Sequence, residues 1–122
     1  MPNPVLYHNP RCSKSRQALA FVRAQKIDVA VVEYLKTPLS SSELDKLYIA
    51  LKAGGGVANA LDMIRINEPE FALAGLSNSA TDTSVINAIV LFPKLLERPI
   101  LQKDGEAVIG RPLHKIEAMF ND

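Results

Sequence analysis

The chain has 122 residues, with 14 Lys and Arg against 13 Asp and Glu, a formal net charge of +1 and 48% hydrophobic residues. That balance excludes a strongly basic nucleic-acid binder and an acidic tail, and the length fits one domain, 1–122, with a core that needs no disulfide. A single cysteine rules out an internal disulfide, no apolar run is long enough for a transmembrane helix and no signal-peptide pattern opens the sequence; the expectation is a cytoplasmic monomer with no membrane partner.

Val5 to His8 reads as a first strand and Ser13 to about Gln25 as a first helix, with Ser15, Ala18, Leu19 and Val22 at helical spacing. Asp28 to about Leu35 reads as a second strand, and its apolar run Val29–Val32 suggests a buried parallel one. Together these predict a right-handed βαβ unit. Thr37-Pro38 ends it. Ser40-Ser41-Ser42-Glu43 has the form of a capping box, followed by the stripe Leu44, Leu47, Tyr48 and Leu51. Gly54-Gly55-Gly56 stops that helix. Val57, Leu61 and Ile64 mark a short helix. Thr81-Asp82 starts another, with Val85, Ile86, Ile89 and Val90 as its apolar face, ending near Phe92-Pro93.

The last third changes period. Pro99–Gln102 and Glu106–Ile109 flank the hairpin signal Asp104-Gly105. Pro112 suits the first turn of a last helix carrying Leu113, Ile116 and Phe120. The order is β-α-β, a helical insertion over about residues 40–92, then β-β-α. It predicts an α/β fold with a four-stranded mixed sheet, and the thioredoxin/glutaredoxin-like arrangement fits it best.

The chemistry centres on Cys12. It lies where the first strand turns into a helix, in His8-Asn9-Pro10-Arg11-Cys12-Ser13-Lys14-Ser15-Arg16. Free N–H groups at a helix start favour a thiolate, and Arg11, Lys14 and Arg16 add positive charge. Such a field suits a nucleophile and attracts an oxyanion. A redox Cys-x-x-Cys would place its second cysteine at Ser15, so this motif cannot close its own disulfide, and an outside thiol must regenerate Cys12. A tyrosine-phosphatase loop is disfavoured, because only Ser13, Lys14 and Ser15 separate Cys12 from Arg16. No cluster of cysteine and histidine offers a metal site.

The segment from His8 to Arg16 resembles the motif His-Asn-Pro-x-Cys-x-x-Ser-Arg of the glutaredoxin-linked arsenate reductases. Glu97-Arg98-Pro99-Ile100 is similar to that family's Arg-Pro-Ile segment, Ile109-Gly110-Arg111-Pro112 to its later Gly/Cys-Arg-Pro segment, and Met63-Ile64-Arg65 to the position of its first substrate arginine. The resemblance implies arsenate as substrate, glutathione as co-substrate, glutaredoxin as partner and no bound cofactor. It assigns Cys12 as nucleophile, Arg65, Arg98 and Arg111 to the oxyanion, and a cis bond before Pro99. His8 is then either a protonated partner that depresses the Cys12 pKa or a hydrogen-bonded residue that shapes the loop. Ser15 either donates to the thiolate or serves the first helical turn. Arg16 is expected behind the loop as a structural cation. Glu68 and Glu70, just after Arg65, are positioned to pair with it and compete with substrate. Two other readings stay open: a thiol oxidoreductase of the same family with another substrate, and an Spx-type regulator that binds RNA polymerase. Spx-type chains typically begin with Cys-x-x-Cys, which Ser15 interrupts here.

Overall fold

The computed structural model describes residues 3–120. Strand β1 (Val5–Tyr7), helix α1 (Ser13–Ala24) and strand β2 (Ala30–Val32) form the expected βαβ unit, with Leu6 paired in parallel to Val31. After the helical insertion, β3 (Ile100–Lys103) runs antiparallel to β1, and β4 (Glu106–Ile109) antiparallel to β3. The sheet order β2-β1-β3-β4 is that of the thioredoxin-like arrangement. Asp104 and Gly105 both take positive φ, 54° and 82°, the backbone that a two-residue hairpin turn requires.

Alternation along the strands sorts the side chains onto two faces. Leu6 and Leu101 are register partners and point to one side, where they meet Ala18 and Val22 of α1 and Ile116 of α5 (His114–Ala118). Ile100, Ala107 and Tyr34 point to the other side and join the helical lobe. That lobe holds α2 (Ser41–Ala53), a 3-10 turn at Ala60–Met63, α3 (Pro69–Leu73), α4 (Asp82–Leu91) and a second 3-10 turn at Pro93–Leu95. Leu44, Leu47, Leu51, Met63, Leu95 and Leu96 are fully or almost fully buried there, each such side chain worth roughly 1.5–3 kcal/mol of burial. The α2 capping box forms as expected: Ser40 Oγ accepts the Glu43 N–H at 3.1 Å and Glu43 Oε1 accepts the Ser40 N–H at 2.9 Å. Asp82 ties three lobe elements together, accepting from the Tyr48 hydroxyl at 2.8 Å and the Ala60 N–H at 3.1 Å. No helix among the described residues is long and apolar enough to cross a membrane.

Four expectations need correction. The second strand is short and lies at the sheet edge, not in a buried interior; Ala30 is exposed and Val31 and Val32 half-buried, because only β1 neighbours it. A turn closed by Lys36 and Thr37 N–H groups on the Glu33 carbonyl replaces its second half. Pro112 stands ahead of the last helix, which begins at His114, and the Arg111–Pro112 bond is cis, as is Arg98–Pro99. Ala88, not Val90, completes the buried face of α4. Helix α3 went unread because none of its five residues is buried, so it carries no apolar stripe.

Candidate active site

The loop after β1 is held almost entirely by bonds among its own residues. Cys12 caps α1; its N–H donates to the Asn9 carbonyl at 3.0 Å and its carbonyl accepts the Arg16 N–H at 2.9 Å. Ser15 is fully buried, and its hydroxyl accepts the Asn9 N–H at 3.0 Å and lies 2.7 Å from His8 Nδ1. Asn9 Oδ1 accepts the Arg11 N–H at 3.0 Å, and Arg16 Nη1 donates to the Pro10 carbonyl at 3.0 Å. Arg16 therefore does sit behind the loop, fastening it. The His8 N–H reaches the Val32 carbonyl at 2.9 Å and anchors the loop to the sheet.

The sulfur sits in competing fields. Burial pushes the Cys12 thiol up, but the Ser15 amide, the Arg98 guanidinium, the Lys14 amide and the Arg111 charge outweigh it, so its pKa falls below the ordinary thiol value. The two amides act as oriented first-turn donors and close no full capping bond. The Ser15 backbone thus faces the sulfur while its hydroxyl is spent on His8 and Asn9. Burial lowers the His8 pKa, with the Glu33 charge pulling the other way. A neutral imidazole bonded to Ser15 is the loop-shaping alternative; no hydrogen bond joins His8 to Cys12 among the described residues.

The arginines arrive from distant segments. Gly110 N–H donates to the Pro99 carbonyl at 2.8 Å, and Arg111 Nε donates to the Arg98 carbonyl at 2.8 Å, so the two Arg-Pro corners are bonded to each other. A Cβ on Gly110 would press on Ile116 and lie 3.0 Å from Pro99 Cγ, so this close approach uses the missing side chain. Arg111 Nη2 then reaches Cys12 Sγ at 3.4 Å. Arg98 lies against the same thiol, while its Nε and Nη1 are buried without a hydrogen-bond partner. Residues 63–65 run antiparallel to 95–97 through the Ile64–Leu96 bridge, with Arg65 N–H on the Leu95 carbonyl at 2.7 Å and Glu97 N–H on the Met63 carbonyl at 2.9 Å. This pairing brings Arg65 to the site. Its Nε donates to Glu68 Oε1 at 3.1 Å and its Nη1 to Glu97 Oε1 at 3.4 Å, and that same oxygen lies 4.0 Å from Arg111 Nε. Glu68 pairs with Arg65 as expected; Glu70 does not, and its Oε1 is buried without a partner.

Tyr34 was not foreseen. It is buried, its hydroxyl reaches the Leu96 carbonyl at 3.4 Å, and its pKa is pushed up to about 12, first by burial and further by the Cys12 and Glu97 charges, against the lowering charges of Arg98 and Arg65. Charges of both signs from the site thus act on one phenol. Glu97 was quoted within its motif but given no role, because the role depends on Arg65, 32 residues earlier. Beside the sulfur a cavity of about 360 Å³ is lined by Asn9, Arg11, Cys12, Leu35, Lys94 and Arg98. Four of its six lining residues carry a cation or a thiol, a composition suited to a small anion. No group of three or more His, Cys, Asp or Glu able to hold a metal occurs among the described residues.

The family model described as ArsC family matches residues 7–119. The chain belongs to the ArsC family. An arsenate reductase of Neisseria meningitidis is 42% identical over 121 residues, covering 98% of this chain and all of that relative. The uncharacterized protein YfgD of Escherichia coli K12 is 38% identical over 112 residues, covering 91% of each chain. The solved structure of an arsenate reductase from Vibrio cholerae superposes with a TM-score of 0.86 at 36% identity, covering 96% of this chain and 97% of that one. The ArsC match includes the Cys12 loop and all three arginine segments.

Proposed function

We propose that the chain reduces arsenate to arsenite in the cytoplasm, with Cys12 as nucleophile, glutathione as co-substrate and glutaredoxin as the partner that resets the thiol. The observation that carries this reading is the placement of Arg98. Its two buried, unpartnered nitrogens, Nε and Nη1, belong to a guanidinium beside a thiol whose pKa is depressed and which Arg111 already contacts. Buried donors without acceptors are costly, and a tetrahedral oxyanion supplies the acceptors.

Arginine also answers an electrostatic problem. A thiolate and an oxyanion about 4 Å apart repel by roughly 4 kcal/mol at an effective dielectric of 20. Guanidinium groups on both sides cancel that repulsion and orient the oxygens. In the proposed sequence Arg65, Arg98 and Arg111 hold arsenate while Cys12 sulfur bonds to arsenic and hydroxide leaves. Glutathione attacks the adduct, two electrons pass to arsenic, and arsenite departs. Cys12 is left in a disulfide with glutathione, which glutaredoxin exchanges away. His8 and Ser15 act by positioning the loop.

The test is a coupled assay of purified protein with arsenate, glutathione, glutaredoxin, its reductase and NADPH. Arsenate-dependent NADPH oxidation is expected, and Cys12→Ser abolishes it. Folded protein with an ionised Cys12 but no response to arsenate would assign the site to a thiol oxidoreductase with another substrate.

A further inference from the structure

A carboxylate inside an anion site is a paradox that the geometry resolves. Glu97 Oε1 lies 3.4 Å from Arg65 Nη1 and 4.0 Å from Arg111 Nε, between two of the three guanidinium groups that would hold the oxyanion. Glu68 Oε1, on the far side of Arg65 at its Nε, adds a second negative charge, and Lys94 sits on the other oxygen of Glu68 at 3.5 Å. Glu97 follows the Ile64–Leu96 bridge, donates its N–H to the Met63 carbonyl and directly precedes Arg98, so its backbone is fixed by the same pairing that carries Arg65. Arg111 links it to the sulfur, with its Nε 4.0 Å from Glu97 Oε1 and its Nη2 3.4 Å from Cys12 Sγ.

A carboxylate there repels any oxyanion whose oxygens all carry lone pairs only. It attracts one that presents an O–H, because an ionised carboxylate is an acceptor and nothing else. Arsenate and phosphate keep at least one hydroxyl at neutral pH; sulfate keeps none. We propose that Glu97 is a specificity-determining residue that accepts a hydrogen bond from the protonated oxygen of the bound oxyanion, so that the pocket selects hydrogen-bearing tetrahedral anions over fully ionised ones. Arg98, with its buried free donors, takes the bare oxygens; Glu97 takes the hydroxyl. Hydrogen bonds to charged groups contribute about 1.5–3 kcal/mol, which corresponds to a preference of roughly tenfold or more.

This inference rests on the reading of the pocket as an oxyanion site, but not on turnover. Cys12 is the single cysteine, so its alkylation by iodoacetamide at neutral pH reports occupancy of the pocket directly. Phosphate, which cannot be reduced here, is expected to protect Cys12 at roughly tenfold lower concentration than sulfate. In Glu97→Gln, whose amide can donate to a bare oxygen, the two anions should protect about equally, chiefly through a gain by sulfate. Glu97→Asp keeps the preference. Glu68→Gln removes a charge from Arg65 without removing the acceptor, so it should shift both anions by nearly the same factor. Equal protection by phosphate and sulfate in the wild-type protein would overturn the inference with no variant needed, and so would an unchanged ratio in folded Glu97→Gln. A protein that prefers phosphate yet leaves arsenate unreduced would keep the assignment of Glu97 and lose the reductase. Arsenate turnover with equal protection by both anions would do the reverse.

Discussion

The two halves of the site are built by opposite means. The nucleophile half, His8 to Arg16, is closed, apart from the His8 N–H on the Val32 carbonyl, by bonds between residues at most seven positions apart, such as His8 to Ser15. The substrate half joins residues 32 positions apart, Arg65 and Glu97, and 99 apart, Cys12 and Arg111. The first needs little beyond β1 and the start of α1. The second exists only when the helical lobe packs and lays residues 63–65 against 95–97. Thiol activation draws on both, since the Ser15 and Lys14 amides and the Arg98 and Arg111 guanidinium groups all lower the Cys12 pKa, whereas substrate capture draws on the second, the half more exposed to damage in the core.

The sharpest way to break the substrate half alone is Met63→Ala. Met63 is fully buried and its carbonyl accepts the Glu97 N–H. The cavity should cost roughly 2–5 kcal/mol by denaturant unfolding and raise the KM for arsenate. The alkylation rate of Cys12 in the folded population should change much less; an equal fall would mean that the two halves are one unit. Next in size is Arg98→Ala, expected to lower kcat/KM for arsenate by roughly 10²–10³, as loss of one oxyanion donor does. Thermal unfolding should barely move, since Arg98 Nε and Nη1 hold no protein partner; a large drop in Tm would make Arg98 structural.

Ser15→Ala tests the other half. It strands the Asn9 N–H and His8 Nδ1 in a buried loop, at a cost of about 1–3 kcal/mol. The thiolate absorbance should then titrate at higher pH than in the wild type, while Arg65→Ala leaves the loop's own bonds intact. The smallest effect is acid sensitivity. The folded His8 pKa lies below its unfolded value near 6.5, so the unfolded chain binds the extra proton first. The stability this histidine contributes is whole above about pH 6.5 and is lost as pH falls from there toward the folded pKa. In denaturant titrations at stepped pH, His8→Asn should flatten that part of the profile.

This division also explains what could be read from the residues alone. The Cys12 loop was legible because its signals are local: a strand end, a helix start, a lone thiol and basic neighbours in one short stretch. The capping box at Ser40 and the hairpin at Asp104-Gly105 were legible for the same reason. The three arginines could be chosen by their motifs, but their meeting point could not, since it depends on the Ile64–Leu96 bridge. Glu97 and Tyr34 stayed hidden because neither has a distinctive neighbourhood in sequence; each gains its role from charges brought in by folding. The apolar run Val29–Val32 misled because hydrophobicity does not tell a central strand from an edge strand that packs on one side.

The contact between Gly110 and Ile116 has a consequence for how the chain can vary. The space that would take a Cβ at position 110 is filled by the tip of the Ile116 side chain, so the two positions share one volume. A larger residue at 110 becomes admissible only once 116 shrinks and Pro99 Cγ, 3.0 Å from the same point, gives way, so position 110 has no tolerance of its own. Libraries meant to reshape the arginine corners should randomise the two together, because scanning them singly would record a prohibition that belongs to the pair.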